Sequence, residues 1–143
     1  MRIVKSFEEF LEEGVIKKGS NDVERARSIL SEAKRKFFIL QNMVDRLGID
    51  DTNANDYVEY CYNILMFQIR SKMYKEGYVS SDQGSHEAEV AFTVKLKFLE
   101  SETIFLDKLR YFRNGILYYG KRFDEEYAEK VIEYTKRIIK KIQ

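Results

Sequence analysis

The sequence predicts an all-α fold, an antiparallel bundle of four to five helices, and three observations carry that expectation. The 143-residue chain has no proline and no tryptophan, with 44% hydrophobic and 34% charged residues, a composition that suits helices better than a turn-rich sheet protein. Apolar residues recur at steps of three and four over long windows, most clearly from Val23 to Leu47 and from Ala128 to Ile142. Cap residues and glycine stops divide these windows with short connections, the pattern of helices that fold back on their neighbours. A chain of this length is one ordinary domain and buries roughly two thirds of the surface it exposes when unfolded. It needs neither a disulfide nor a metal to fold.

In order, Ser6 followed by Glu9 reads as a capping box for a short helix with Phe7, Phe10 and Leu11 on its apolar face and Gly14 at its end. A lysine-rich connector, Lys17 to Ser20, completes an N-terminal segment over 1–20, and the bundle proper spans 21–143. The first long helix carries the stripe Val23, Ala26, Leu30, Ala33, Phe37, Leu40, Val44, Leu47 and closes at Gly48. That seam packs inside one bundle, with a dimer zipper as the alternative. A second long helix runs from Thr52 or Asn53 to Glu76, stops at Gly77, and is apolar on nearly every side between Tyr57 and Ile69. Tyr78 to Ser85 is too polar to continue it and reads as a loop. Ser85 then caps a helix with Glu87 and Glu89 in its first turn and Val90, Val94 and Phe98 on its apolar side, ending near Leu99. A further helix runs from Ser101 to Gly120. Asp124 caps the last, where Lys136, Arg137, Lys140 and Lys141 complement the dipole of its closing turns.

Charge and composition narrow the function classes. Net charge is +1 at neutral pH, so no global field draws the chain to nucleic acid or to a membrane. Cys61 is the only cysteine and lies in an apolar run, which excludes a disulfide framework and fits a reducing interior. No run approaches a membrane span, and Met-Arg-Ile-Val-Lys lacks the apolar core of a leader peptide, so a soluble cytoplasmic protein is expected. The Lys, Glu, Ile and Tyr usage points toward a heat-loving source.

The stretch from Asp107 to Arg122 organises the rest. Phe105, Leu109, Phe112 and Ile116 share one helical side, and Arg110, Arg113, Asn114 and Lys121 another. From Lys108 to Arg122 there are five basic side chains and no acidic one, so the charge is local. Gly115 costs about 1 kcal/mol against alanine in a helix interior and predicts a close approach by another backbone or a ligand. Other chemistry has little support. There is no phosphate-cradling glycine loop and no Cys or His pair at metal-ligand spacing, so no metal or cofactor is expected. Carboxylate pairs such as Glu8 with Glu12 and Asp124 with Glu125 fall on solvated faces. His86, the single histidine, follows Ser85 at a helix start, where a surface or capping role is commonest.

Gly77-Tyr78, then Gly84-Ser85-His86-Glu87 opening a helix, then Leu109-Arg110-Tyr111-Phe112-Arg113-Asn114 followed by Ile116-Leu117-Tyr118-Tyr119, together resemble the HEPN domains of prokaryotic toxin-antitoxin, defence and nucleotidyltransferase-associated proteins. The resemblance covers roughly 21–143. The family signature is an arginine, usually followed by a polar residue, with gaps of four to six residues between the arginine and a histidine. Arg113 and Asn114 match its first two positions, whereas the histidine positions hold Tyr118, Tyr119 and Gly120.

Active members of that family are metal-independent ribonucleases whose paired signature helices form one cleft in a homodimer. The resemblance therefore implies Arg113, Asn114 and Tyr118 as catalytic positions, with Arg110, Tyr119, Lys121 and His86 as binding residues. Arginine suits the charge of a phosphorane. Tyrosine, with a reference pKa near 10, exchanges protons poorly at neutral pH. Three readings follow: a catalytically degenerate domain binding RNA, a nucleotide or a partner nucleotidyltransferase; an active ribonuclease with Tyr118 or His86 in the histidine's place; or a structural helical protein in which Arg113 pairs with Glu59 or Asp56. The nucleotidyltransferases associated with the family can modify a tyrosine near the signature, but the position seven after Arg113 is Gly120.

Overall fold

The computed structural model describes residues 5–81 and 84–143, with Leu117 and Tyr118 by their backbone alone. It is an all-α bundle built from α1 (Phe7–Glu12), α2 (Val23–Leu47), α3 (Ala54–Lys75), α4 (Ser85–Phe92), α5 (Glu100–Tyr119) and α6 (Glu125–Ile142). Two short strands, β1 (Ile16–Lys18) and β2 (Tyr78–Ser80), add a small antiparallel sheet with Lys17 opposite Val79. Among the described residues no helix is long and apolar enough to cross a membrane.

The centre is α3. Tyr57, Val58, Cys61, Ile64, Leu65, Ile69 and Met73 are buried around its whole circumference, as the uninterrupted apolar run Tyr57–Ile69 predicts. Burial pushes the Cys61 thiol up to about 12, so it packs as a small apolar group. Against this axis α2 lays Ala26, Ala33 and Leu40, and Ser71 donates to the Ala26 carbonyl at 2.7 Å. On the other side α6 buries Ala128, Val131, Ile132, Thr135, Ile138, Ile139 and Ile142, the stripe read from the sequence. Asp124 caps α6 by accepting from the Tyr127 amide, and Gly120 ends α5 at φ 64°. Phe7, Phe10 and Ile16 belong to the same core, so the N-terminal segment is packed into the bundle.

Several expectations are corrected. The connector at Lys17 and the loop at Tyr78 pair as β1 and β2, because Ile16 is an apolar anchor and Gly77 lets the two backbones meet. Gly84, at φ 77°, occupies the cap position of α4, and Ser85 is its first residue. That helix stops at Phe92 and tightens into a 3-10 turn over Thr93–Leu96, which leaves Val94 exposed. Val23 and Leu47, the ends of the α2 stripe, are also exposed. Among the described residues Gly115 meets only the Lys121 side chain, with Cδ at 3.6 Å from where a Cβ would stand; the close approach lies at Gly77 instead. Finally, Arg137 and Lys141 do more than complement a dipole. Both pair with buried Glu102, whose carboxylate also accepts from the Leu99 amide at 2.8 Å. Burial pushes Glu102 up, yet these donors hold it below its ordinary value.

Candidate functional site

Helices α3, α4 and α5 bring three arginines and the single histidine together. Tyr62 and Arg70, two turns apart, face the same side of α3. On α4, His86 and Glu89 stand one turn apart, and on α5 Asp107, Arg110 and Arg113 follow at steps of three. Glu89 and Tyr62 are each 2% exposed and form the floor, while the His86 side chain is 50% exposed at the rim.

The arginines differ in what neutralises them. Arg70 Nε donates to Glu89 Oε2 at 2.6 Å, and Arg110 Nε donates to Asp107 Oδ1 at 2.9 Å. Arg113 lies over the Tyr62 ring, its guanidinium carbon 5.7 Å from the centroid, and forms no ion pair among the described residues. Neither Glu59 nor Asp56 reaches it, so the interhelical salt bridge expected by the structural reading is absent there. The cluster sums to one net positive charge, carried by Arg113. Tyr62 Oη, Glu89 Oε1, Arg110 Nη2 and Arg113 Nε are buried without a hydrogen-bond partner among the described residues. Each such atom costs about 1–3 kcal/mol when left unpaired. A stable bundle gains nothing by gathering them, whereas a ligand site does.

Protonation follows from geometry. The Nδ1 atom of His86 is 3.3 Å from Arg70 Nη2 and 3.7 Å from Glu89 Oε1. These contacts ask opposite things of it, since a guanidinium only donates and a carboxylate only accepts. The shorter contact prevails because burial, followed by the fields of Arg70, Arg113 and Arg110, lowers the His86 pKa and keeps the ring neutral near pH 7. With the Nδ1 lone pair taken by Arg70, the ring proton is assigned to Nε2. His86 therefore offers a donor. Glu89 is pushed up, with burial outweighing the opposing Arg70 hydrogen bond. Tyr62 is also pushed up, by burial and by Glu89, so it stays a neutral hydroxyl.

The linkage of His86 has a definite sign. A histidine whose folded pKa lies below its unfolded value binds fewer protons when folded, so stability falls as pH drops below about 6.5. The wild type is expected to lose melting temperature between about pH 6.5 and 5 relative to His86→Gln, whose amide oxygen can still accept from Arg70. Parallel curves for the two proteins over that range would show that His86 is not held neutral.

Of the residues named from the sequence, Arg110, Arg113 and His86 meet in this cluster. Asn114 is exposed on the outer side of α5, and Tyr119 is 86% exposed near its end. Lys121 belongs elsewhere: its Nζ lies 4.7 Å from the Phe112 centroid and 5.6 Å from that of Phe123, toward α6. The Tyr118 side chain lies outside the described residues. Arg70, Glu89, Tyr62 and Asp107 were missed. Two carried a signal: Arg70 is the first charge after the uncharged run Tyr60–Ile69, and Glu89 is a lone acid inside Ala88-Glu-Val-Ala-Phe92. A charge embedded in apolar sequence asks for a buried partner. Comparison of the chain with protein-family models, with curated proteins and with solved structures finds no match.

Proposed function

We propose that the chain is an HEPN-like RNA-binding domain, catalytically degenerate, in which Arg70, Arg110 and Arg113 hold a backbone phosphate. The observation that carries this reading is the uniform polarity of the groups at the rim. Three guanidiniums and a neutral imidazole with its lone pair occupied all donate, which suits an anion and leaves no acceptor at the rim itself for a proton from a 2′-hydroxyl. Two buried carboxylates lie beneath them, Glu89 engaged by Arg70 through Oε2 and Asp107 by Arg110. The homodimer and the nucleotidyltransferase partnership implied by the resemblance belong to the same proposal.

The test is fluorescence anisotropy with a short single-stranded RNA at low salt. Arg113→Ala removes a charged donor and is expected to weaken binding at least about tenfold, with a salt dependence shallower by about one ion. Unchanged affinity in a variant that melts like the wild type would count against the phosphate site.

One observation favours a second reading, cleavage. His86 comes within the field of Arg110 and Arg113 although no histidine follows the Arg113-Asn114 pair in the sequence. Metal-independent cleavage that leaves 2′,3′-cyclic ends and disappears in His86→Ala would establish it, and would require the Arg70–His86 bond to open during turnover.

A further inference from the structure

A second surface on α5 lies outside the cluster. Helices α5 and α6 meet through aromatic side chains: Phe105 packs edge-on against Tyr134 at 4.5 Å, and Phe112 against Tyr127 at 6.0 Å. Outside these contacts a groove of about 550 Å³ remains, within the range of small-ligand sites. It is lined by Phe105, Lys108, Tyr111, Phe112, Tyr127 and Lys130. Depressions beyond it share Tyr127 and Lys130 on one side and Phe105 and Lys130 on the other, so it continues along α6.

The lining is unusual in what it omits. Among the described residues it holds four rings and two lysines and no aliphatic or acidic side chain, with acids, Asp124, Glu126 and Glu133 among them, lying in the depressions beyond it. A groove built to receive an amphipathic protein helix would offer Leu, Ile or Met to its apolar ridge. Rings flanked by ammonium groups offer stacking faces with cations beside them, the combination that holds single-stranded nucleic acid. The cations are already placed: Lys130 Nζ is 5.6 Å from the Phe105 centroid, and Lys121 Nζ is 4.7 Å from that of Phe112. Tyr111 is 58% exposed at the edge, where its ring packs against Phe112 at 6.1 Å.

We infer that the α5–α6 groove binds a nucleobase of single-stranded RNA, with adjoining phosphates on Lys108 and Lys130. The inference rests on the RNA-binding reading above and extends it. At 100° per residue the outer side of α5 runs from Arg110 through Asn114 and Tyr111 to Lys108, so one strand crossing that helix reaches both the arginine cluster and the groove. The cluster takes phosphate and the groove takes base.

The experiment compares labelled decaadenylate RNA with an abasic RNA of equal length, both against the full chain at low salt. Decaadenylate is expected to bind more tightly, and Tyr111→Ala to weaken it at least about fivefold while leaving the abasic strand unchanged. Tyr111→Leu, which keeps apolar area and removes the ring, is expected to behave likewise and serves where the alanine variant does not fold. Equal binding of the two strands overturns the assignment. So does displacement of decaadenylate by poly-glutamate as readily as by unlabelled RNA, or a change of oligomeric state in Tyr111→Ala with RNA affinity untouched, which would give the groove to a second copy. If Arg113→Ala weakens decaadenylate and Tyr111→Ala does not, the groove assignment falls and the phosphate site stands. If neither strand binds the wild type, both fall.

Discussion

Gly77→Ala is expected to lower stability by about 3–5 kcal/mol. At Gly77 φ is +86°, and a Cβ would stand 2.3 Å from the Gly19 carbonyl oxygen. The left-handed conformation alone costs a non-glycine residue about 1–2 kcal/mol. Overlap with a backbone oxygen adds about 1–3 kcal/mol, because backbone cannot rotate aside as a side chain can. Gly19 is held there by its own amide, which donates to the Gly77 carbonyl at 2.7 Å. Moving it means giving up that bond and the strand pairing beside it. A fall in melting temperature of about 10 °C or more follows for a domain of this size. Gly120→Ala is the control: φ is +64° there too, in the left-handed region, but nothing among the described residues lies within 4 Å of the added carbon, so only the conformational cost applies. Equal melting of the two variants would mean that the Gly19–Gly77 contact is not as close as described.

Glu89→Ala is expected to cost about 3 kcal/mol, through the charge it leaves behind more than through the bond it removes. Arg70 would then stand three-quarters buried beside neutral His86, with its Nε donor unpaired and two further arginines nearby. Breaking one side of a buried pair typically costs about 3–5 kcal/mol, and the lower end applies because the Arg70 side chain keeps 24% of its exposure. Replacing both members, Arg70→Met with Glu89→Leu, is expected to restore most of the loss, since apolar groups of similar volume remove the desolvation cost with the pair. Thermal unfolding of the two single variants and the double variant gives the coupling directly. A double variant as unstable as Glu89→Ala would show that Glu89 acts through some other contact.

The helices were legible because their signals are local. The α6 stripe, the Asp124 cap, the apolar circumference of α3 and the glycine stops each depend on residues within a few turns, and the structure follows them. What was not legible depends on residues far apart in the chain. Nothing near Lys17 indicates that it will face Val79, and no local pattern says that Glu102 will receive Arg137 and Lys141. The candidate site divides in the same way. Arg110 and Arg113 stood out because basic residues crowd one helix, whereas Arg70 and Glu89 look like ordinary helix charges until their partner is found across the bundle. His86 was placed at a helix start by its neighbours, but its state is set by burial and by three arginines from two other helices. Lys121 went wrong for a related reason: Gly120 turns the chain out of the helix, so the helical face no longer applies one residue later.

The strand pairing also bears on the order of folding. Helices α2 and α3 follow one another and pack along their length, so their contacts close a short loop and form early and often. Pairing β1 with β2 requires both helices to be in place, since the strands flank them in sequence. Contacts that close long loops carry the larger entropy cost before they return any energy. The sheet is therefore expected to form late, and stopped-flow kinetics of Gly77→Ala would show this as faster unfolding at an unchanged folding rate. Interactions of that kind leave the folding rate alone and set the rate of unfolding. On this account the few residues of β1 and β2 govern how long the native protein persists once formed.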